Sequence, residues 1–313
     1  MDEAFYNSDQ VPKKTFGALI RRSNHPALSR FIVMYALVIV TGVWVVLAWG
    51  GVAWNVLLSQ LSFAVMVCST FACLHETAHG TAFKSKWLNR IAAFLCGLNH
   101  IYPSSLFREL HFAHHRHTHI PGLDPEISLG NHPAPSVLSN LPMYFGWLTG
   151  LPLLLFKIGM LVAGAIGMPE VLRVNLYPFV RPTMRKTIAA ESVVVLSFHL
   201  ALLILAIFVH SGFWAIFVGQ VVGHCMLAAY LTPEHNGLPH EGDILEKTRS
   251  IDTNVGIKLL MWNMPYHAEH HAFPAVPFHA LPSLRQHIHD DLKHRTDGYA
   301  KFHRQVFIGR QGT

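Results

Sequence analysis

The sequence is poor in charged residues and in cysteine. Lys, Arg, Asp and Glu make up 13% of its 313 residues, whereas about 25% is usual in soluble globular domains. Its four cysteines include no pair with C-x-x-C spacing, which excludes a disulfide framework, a zinc knuckle and an iron–sulfur motif. The shortage of charge points instead to a membrane protein.

Apolar residues form 51% of the chain, and its mean hydropathy is +0.31. A helix needs about 20 apolar residues to cross the hydrocarbon core of a bilayer. Four stretches meet this need, at residues 31–49, 52–74, 192–210 and 213–231. Only short glycine-containing breaks separate the members of each pair, so we predict four transmembrane helices arranged as two hairpins.

The basic residues indicate which side of the membrane the loops occupy. Neither short break contains Lys or Arg, whereas basic residues cluster before the first stretch, between the pairs and after the fourth. Loops rich in Lys and Arg are retained in the cytoplasm. We therefore expect a multi-pass protein whose termini and whose long connection between the hairpins are cytoplasmic.

Two further apolar stretches complicate the count. Residues 151–168 are long enough to cross, but Lys157 and three glycines interrupt them, and a fifth crossing would separate the histidine clusters described below. We predict that 151–168 are interfacial or re-entrant and that 87–107 are interfacial. No composition shift or polar linker divides the chain, so we expect a single all-α integral membrane domain over 1–313.

Histidine is unusually abundant, with 23 copies, and three clusters stand out. His75 and His79 belong to the H-E-x-x-H pattern of "LHETAHG". The other two clusters have the spacing H-x-x-H-H, in "LHFAHH" and "YHAEHH", and comprise His111, His114, His115, His267, His270 and His271. Positions i, i+3 and i+4 share one face of a helix, so we expect each cluster to present its imidazoles in one direction.

Eight imidazoles are too many for one zinc ion, which takes three protein ligands in a catalytic site and four in a structural one. They suit two transition-metal ions with several nitrogen ligands each. Imidazole binds Zn, Cu, Fe and Ni alike, so ligand type does not select the metal. A zinc intramembrane protease built on His75, Glu76 and His79 stays an alternative, as do unrelated surface histidines.

The complete pattern resembles the membrane fatty acid desaturase and hydroxylase superfamily over about residues 30–290. The likeness includes "GLDPE" at 122–126 and "NMPYHAEHHAFP" at 263–274. It implies a non-haem di-iron centre held by histidines in a cytosolic histidine-rich cap. It also implies a ninth ligand after the fourth span, for which His235 in "TPEHNG" is the candidate; its rival His224 lies inside that span and is interpreted as a hydrogen-bonded helix residue.

The ligand set implied by this resemblance is therefore His75, His79, His111, His114, His115, His235, His267, His270 and His271. Metal-bound imidazoles usually donate their second ring N–H to a carboxylate or a carbonyl oxygen. The carboxylates close enough in sequence to accept it are Glu76, Asp124, Glu126, Glu234 and Glu269. We prefer Asp124 and Glu269 as the two that orient the ligands, although each could also be a solvated charge.

The resemblance implies an O2-dependent oxidoreductase with two iron ions. The leading hypothesis is desaturation of a lipid acyl chain of the acyl-lipid or sphingolipid type. It is favoured because the first cluster reads H-x-x-x-H, whereas the acyl-CoA branch of the family usually has H-x-x-x-x-H. Hydroxylation or ketolation of a lipid or carotenoid on the same scaffold is the main alternative, and a non-enzymatic lipid receptor is another.

Electrons must come from a separate protein. The sequence contains no G-x-G-x-x-G, no cysteine quartet and no haem domain of the cytochrome b5 kind. The net charge of +6, concentrated on the expected cytoplasmic face, would attract an acidic carrier such as a ferredoxin, or one similar to cytochrome b5. We expect an apolar substrate and no nucleic-acid partner.

Overall fold

The computed structural model describes residues 11–309. The two termini expected on the cytoplasmic side, residues 1–10 and 310–313, lie outside the described residues. The helices are α1 Lys13–Leu19, α2 His25–Ala48, α3 Ala53–His79, α4 Lys86–Asn99, α5 Ser104–Arg116, α6 Leu141–Leu148, α7 Leu151–Ala165, α8 Glu170–Leu176, α9 Arg185–Phe208, α10 Trp214–His235, α11 Val255–Leu260, α12 His267–Ala272, α13 Leu281–Ile288 and α14 Tyr299–Phe307.

The described part of the chain contains two small sheets of two strands each. Strands β1 Ser128–Leu129 and β2 His132–Pro133 pair antiparallel, and β3 Ser250–Ile251 and β4 Arg295–Thr296 pair parallel. Both sheets lie in segments outside the long apolar helices. The described part of the chain is therefore mostly helical, with little sheet, as the sequence predicts.

Four helices of the described residues, α2, α3, α9 and α10, are long and apolar enough to cross a membrane. They agree with the predicted spans to within two residues at the short breaks and extend past them at the other ends. The predicted span 52–74 continues as α3 to His79, and the predicted span 213–231 continues as α10 to His235. The polar last turns remain helical because their side chains are packed inside the protein rather than exposed to lipid. Both extensions carry predicted metal ligands.

Helix α3 is the centre of the helical bundle, since it packs against α2, α4, α5 and α10. Two glycines of α10 allow the closest of these contacts. A Cβ on Gly219 would lie 2.4 Å from the Phe63 ring, and one on Gly223 would lie 2.8 Å from Val67. Small residues at such positions let membrane helices approach closely. The result is that the ends of α3 and α10 lie side by side.

The fifth apolar stretch forms α7, which follows α6 at a bend of 59°. A bent pair of this kind is either an interrupted span or a re-entrant loop, so the interfacial or re-entrant character of 151–168 stays a prediction. Gly150 makes the bend possible because its φ is +69°, a left-handed conformation that favours glycine. A Cβ at Gly150 would also lie 2.4 Å from the backbone carbonyl carbon of His224 in α10.

We predict that Gly150→Ala lowers the free energy of unfolding by about 2 kcal/mol or more, because it adds left-handed strain to a backbone clash. The thermal unfolding midpoint of the detergent-solubilised protein measures the change. Gly146→Ala is the matched control: a Cβ there meets no atom within 4 Å, so the midpoint should be unchanged or slightly raised. Equal midpoints for the two variants would contradict the role given to Gly150.

Candidate metal centre

The nine histidines predicted as ligands lie together in one cluster. The end of α3 contributes His75 and His79, and the last residue of α10 contributes His235. Helix α5 contributes His111, His114 and His115, and the six-residue helix α12 contributes His267, His270 and His271. All are buried except His79, which is half-buried. Residues separated by almost 200 positions thus meet where four helices end or begin.

The imidazoles form two groups. The five-histidine group consists of His75, His79, His111, His115 and His270, and the three-histidine group consists of His114, His235 and His271. Within each group, one ligand atom per residue lies within 4.8 Å of all the others. The ninth residue, His267, adjoins the three-histidine group, since its Nε2 is 2.8 Å from the Nε2 of His235. The groups touch where the His115 and His271 rings stack at 4.1 Å.

The H-x-x-H-H spacing divides its imidazoles between the groups, which corrects the expectation that each cluster faces one way. In α5, His111 and His115 belong to the five-histidine group, whereas His114 belongs to the other. In α12, His270 and His271 are divided in the same manner. Successive residues of a helix are rotated by about 100°. Two adjacent histidines therefore reach two neighbouring sites, which a single i, i+4 pair could not do.

The nitrogen spacing fits metal ions. Four pairs of imidazoles face each other through their Nε2 atoms, at 2.7 Å (His79 and His111), 2.8 Å (His235 and His267), 3.2 Å (His115 and His270) and 3.3 Å (His114 and His271). Two nitrogens bound to one transition-metal ion at about 2.0–2.1 Å stand roughly 3 Å apart. Facing lone pairs at this separation are suited to a shared cation.

The protonation of these imidazoles also fits metal ions. Burial, followed by the repulsion of neighbouring imidazoles, lowers the pKa of five histidines outside the long apolar helices: His111, His115, His267, His270 and His271. They are therefore neutral at physiological pH. A neutral imidazole has the free lone pair that metal binding requires.

His114 is held by Asp124, one of the two carboxylates preferred from the sequence. Both oxygens of Asp124 lie 3.0 Å from His114 Nδ1, and they also accept the backbone N–H groups of His119 and Glu126. Burial disfavours a charged imidazole, but the carboxylates of Asp124 and Glu126 outweigh it and raise the pKa of His114 to about 9. The contact fixes the Nδ1 proton toward Asp124, so Nε2 faces His271.

Glu269, the other preferred carboxylate, lies elsewhere, and this corrects the prediction. It accepts a hydrogen bond from Ser250 Oγ and pairs with Arg285 at 3.2 Å. Its position between His267 and His270 turns it away from the imidazole face of α12. Glu234 is the carboxylate beside an α12 ligand, with 3.6 Å between its Oε1 and His267 Nδ1. The signal for Glu234 in the sequence was its position directly before His235.

The remaining candidates have ordinary partners. Glu76 accepts a hydrogen bond from the backbone N–H of Phe278 at 3.1 Å. The Nδ1 atoms of His235 and His271 contact the Lys247 carbonyl at 2.9 Å and the Thr118 hydroxyl at 3.3 Å. The rival ligand His224 lies outside the cluster and bonds to the Gln220 carbonyl, as expected for a helix residue.

An apolar cavity of about 620 Å³ adjoins the three-histidine group, and His114 and His235 form part of its wall. Its lining includes the exposed loop residues 133–136 and the buried side chains of Phe71, Tyr102 and Lys157. A second cleft of about 590 Å³ is lined by Arg108, Arg116, Arg173 and Arg181. It reaches the five-histidine group through Phe112, whose ring is 5.6 Å from that of His79.

Comparisons with known proteins agree with this arrangement. The family model for fatty acid desaturase matches residues 53–303. A sphingolipid delta(4)-desaturase from Komagataella phaffii is 25% identical over 226 residues, which cover 70% of this chain and 58% of the relative. A sphingolipid delta(4)-desaturase DES1-like protein from Oryza sativa subsp. japonica is also 25% identical over 226 residues, which cover 69% of this chain and 58% of the relative. The matched region thus spans 58% of the length of these curated relatives.

We predict that Asp124→Asn weakens metal binding by roughly 10- to 100-fold, because the amide cannot hold His114 as a charged acceptor does. Competition with a chelator, followed by metal analysis, measures the affinity. Glu126→Gln is the matched comparison: this side chain is 3.7 Å from His114 and 41% exposed, so its replacement should have a smaller effect. Equal losses in the two variants would show that Asp124 has no specific role.

Proposed function

Because the chain belongs to the fatty acid desaturase family, we propose that it is an O2-dependent membrane oxidoreductase that introduces a double bond into a lipid chain. The observation that carries this proposal is the convergence of nine histidines into two adjacent groups beside an apolar cavity. An all-nitrogen pair of metal sites next to a slot for a hydrocarbon chain is the arrangement this oxidation requires.

Two iron ions are the proposed cofactors. The five-histidine group would hold one of them, and the three-histidine group with His267 would hold the other. The neutral, converging imidazoles support metal binding in general, and the choice of iron rests on the family. When bound, the two ions would supply O2 activation strong enough to break an unactivated C–H bond.

The overall reaction balances with an outside source of electrons. Desaturation removes one hydrogen from each of two adjacent carbons and forms a C=C bond between them. O2 takes up these two hydrogens together with two electrons and two protons, and leaves as two molecules of water. The protein's own part is to hold the chain in the cavity, with the reacting carbons beside His114 and His235.

The chain of an acyl lipid or of a sphingolipid is the proposed substrate. The two relatives are described as sphingolipid delta(4)-desaturases, and the apolar lining of the cavity, including Phe107, Leu153 and Phe156, suits a hydrocarbon. The lining also keeps water away from the chain, which favours oxidation of the substrate over side reactions. Hydroxylation or ketolation on the same scaffold differs only in the fate of the substrate carbons and is the second candidate.

The alternative zinc protease is disfavoured by the position of Glu76. In such an enzyme this carboxylate acts as the general base beside the metal. Here it is fully buried and accepts the Phe278 backbone N–H, while His75 and His79 belong to a group of five imidazoles. Neither feature is suited to a hydrolytic zinc site with three protein ligands.

The proposed topology has two hairpins entering from the cytoplasm, with a cytosolic cap made by the segments outside the long helices and the whole chain forming one domain. Helices α2 and α3 are adjacent and packed together, and α9 and α10 are joined through a turn at Ser211–Phe213. The predicted ligands lie at the last turns of α3 and α10, the ends remote from both short breaks. This supports a single location for the cluster on the basic face.

The proposed electron donor is an acidic carrier, of the ferredoxin or cytochrome b5 type, that docks over the arginine-lined cleft. Arg108 lies with its guanidinium 4.6 Å from the Phe112 ring, which in turn contacts His79. Arg116 and Arg181 are exposed on the same cleft. Positive charge there would steer an acidic protein toward the edge of the five-histidine group.

We predict that expression in a heterologous bacterium yields lipids lacking two hydrogens, and that His270→Ala abolishes them because it removes a ligand from the five-histidine group. Lipid mass spectrometry under 18O2 measures the products, since a hydroxylase would instead add labelled oxygen. His289→Ala, at an exposed site outside the cluster, is the control and should retain activity. Purified active protein that holds one zinc and no iron would refute the proposal.

We also predict the side of the membrane on which each loop lies. In a protein with Cys225→Ser, Val52→Cys and Ser211→Cys should react with an impermeant maleimide added outside intact cells. Ser139→Cys and Asp290→Cys should react only after permeabilisation, because basic regions stay inside. Labelling of the last two positions from opposite sides would rule out a common cytosolic cap.

A further inference from the structure

The lining of the apolar cavity contains a buried lysine that the oxidation chemistry does not use. Lys157 lies on α7, within an apolar helix, and is only 2% exposed. Its side chain lines the same cavity whose wall carries His114 and His235. An ionisable residue among apolar membrane helices is costly and usually marks a binding site or pathway.

The hydrogen bonds of Lys157 identify it as a donor with capacity to spare. Its Nζ lies 3.2 Å from His224 Nε2 and 3.5 Å from His100 Nδ1. His224 Nδ1 faces the Gln220 carbonyl, so His224 Nε2 is left as an acceptor. An ammonium group has three N–H donors, and these two imidazoles accept two of them.

His100 accepts from Lys157 for a similar reason. The Thr70 hydroxyl donates to the Val67 carbonyl, so its oxygen accepts from His100 Nε2. That places the ring proton on Nε2 and leaves His100 Nδ1 as an acceptor. Both imidazoles are therefore neutral partners, and neither supplies negative charge to the ammonium.

Lys157 forms no ion pair among the residues the structure describes. Its other neighbours include the Cys68 thiol, which interacts with its charge, and the rings of Phe71 and Tyr102, with centroids 5.8 and 5.7 Å from Nζ. These two rings also line the cavity. A buried ammonium with neutral partners only either gives up its proton or is compensated by a further group. The cavity that Lys157 lines offers space for such a group.

The lysine is close to the metal centre. The Phe71 ring, 5.8 Å from Nζ, lies 6.2 Å from the His75 ring, so one aromatic side chain separates the ammonium from the five-histidine group. A substrate chain in this cavity can therefore lie against His114 and also reach Lys157, since both residues line it. An ordinary hydrocarbon tail would put a methyl group against this cation.

We propose that Lys157, oriented by His100 and His224, binds an anionic oxygen group, in first place a carboxylate, at the inner end of the substrate. The carboxylate oxygens accept the remaining N–H of Lys157 and neutralise its charge. The site thereby selects a chain that carries a polar end inside the cavity, and it sets which carbons lie beside His114 and His235. This position of the reacting carbons rests on the proposed function, whereas the anion site itself does not.

The test compares three probes of equal chain length: dodecanoate, dodecanol and dodecane. Their binding to the protein in lipid nanodiscs is measured by equilibrium dialysis against empty discs. We expect wild-type protein to bind dodecanoate at least roughly 10-fold more tightly than dodecane, because a hydrogen bond to a charged group contributes that much. Wild-type protein that binds the two probes equally would overturn the proposal without any variant.

Lys157→Met should remove this preference while keeping the binding of dodecane, since it exchanges the charge for an apolar side chain of similar length. Lys157→Arg should retain part of it. Lys186→Met, on an exposed lysine of α9, is the control and should bind as wild type does. Thermal unfolding verifies that each variant is folded, and a preference that survives in folded Lys157→Met would overturn the proposal.

A further comparison separates this inference from the proposed function. His270→Ala should lose lipid oxidation but keep the dodecanoate preference, because it lacks one metal ligand and retains Lys157. If the protein oxidises lipids but its preference for dodecanoate over dodecane does not depend on Lys157, only the anion site is refuted. A preference dependent on Lys157 in a protein that oxidises no lipid would refute only the desaturase function.

Discussion

The structure depends on the mutual approach of imidazole nitrogens that are shielded from water. Facing Nε2 atoms lie 2.7–3.3 Å apart in four pairs. Burial and mutual repulsion oppose protonation of five of these imidazoles, His111, His115, His267, His270 and His271. Such an array has no apolar packing of its own to hold it together. It requires a rigid frame, which the contact between α3 and α10 supplies: two glycines bring the helices close enough for His75 and His235 to belong to neighbouring groups.

The apolar cavity follows from the same frame. Helix α7 bends away from α6 at Gly150, whose lack of a Cβ lets it lie against the backbone of His224. This contact brings Lys157 beside His224 and Phe71. The histidine cluster and the position of Lys157 in the cavity wall are therefore two results of one packing arrangement around α3 and α10.

The local patterns of the sequence predicted the four long helices and the nine histidines that the structure brings together. Apolar run length predicted four spans, and the spacing of the histidine clusters predicted ligands on helices because both are properties of short segments. The errors involve tertiary contacts. Glu269 was predicted to orient a histidine ligand, but in the fold it pairs with Arg285. The carboxylate that lies beside His267 is Glu234. The assignment of His114 and His115 to different groups also depends on which helices surround α5. In the sequence, Lys157 only interrupts an apolar run, and its contacts with His100 and His224 exist only in the folded protein.

Helix α12 has only six residues, too few to be stable alone in water. The pairing of Glu269 with Ser250 and Arg285, on the side away from the imidazoles, holds it in place. Since α12 follows all four long helices in the chain, the third set of histidines reaches the site only late in synthesis. If the cluster binds metal as proposed, loading during biogenesis would have to wait until the polypeptide beyond residue 285 has left the ribosome, and a truncated nascent chain would present an open, incomplete set of imidazoles to any cation in the cell.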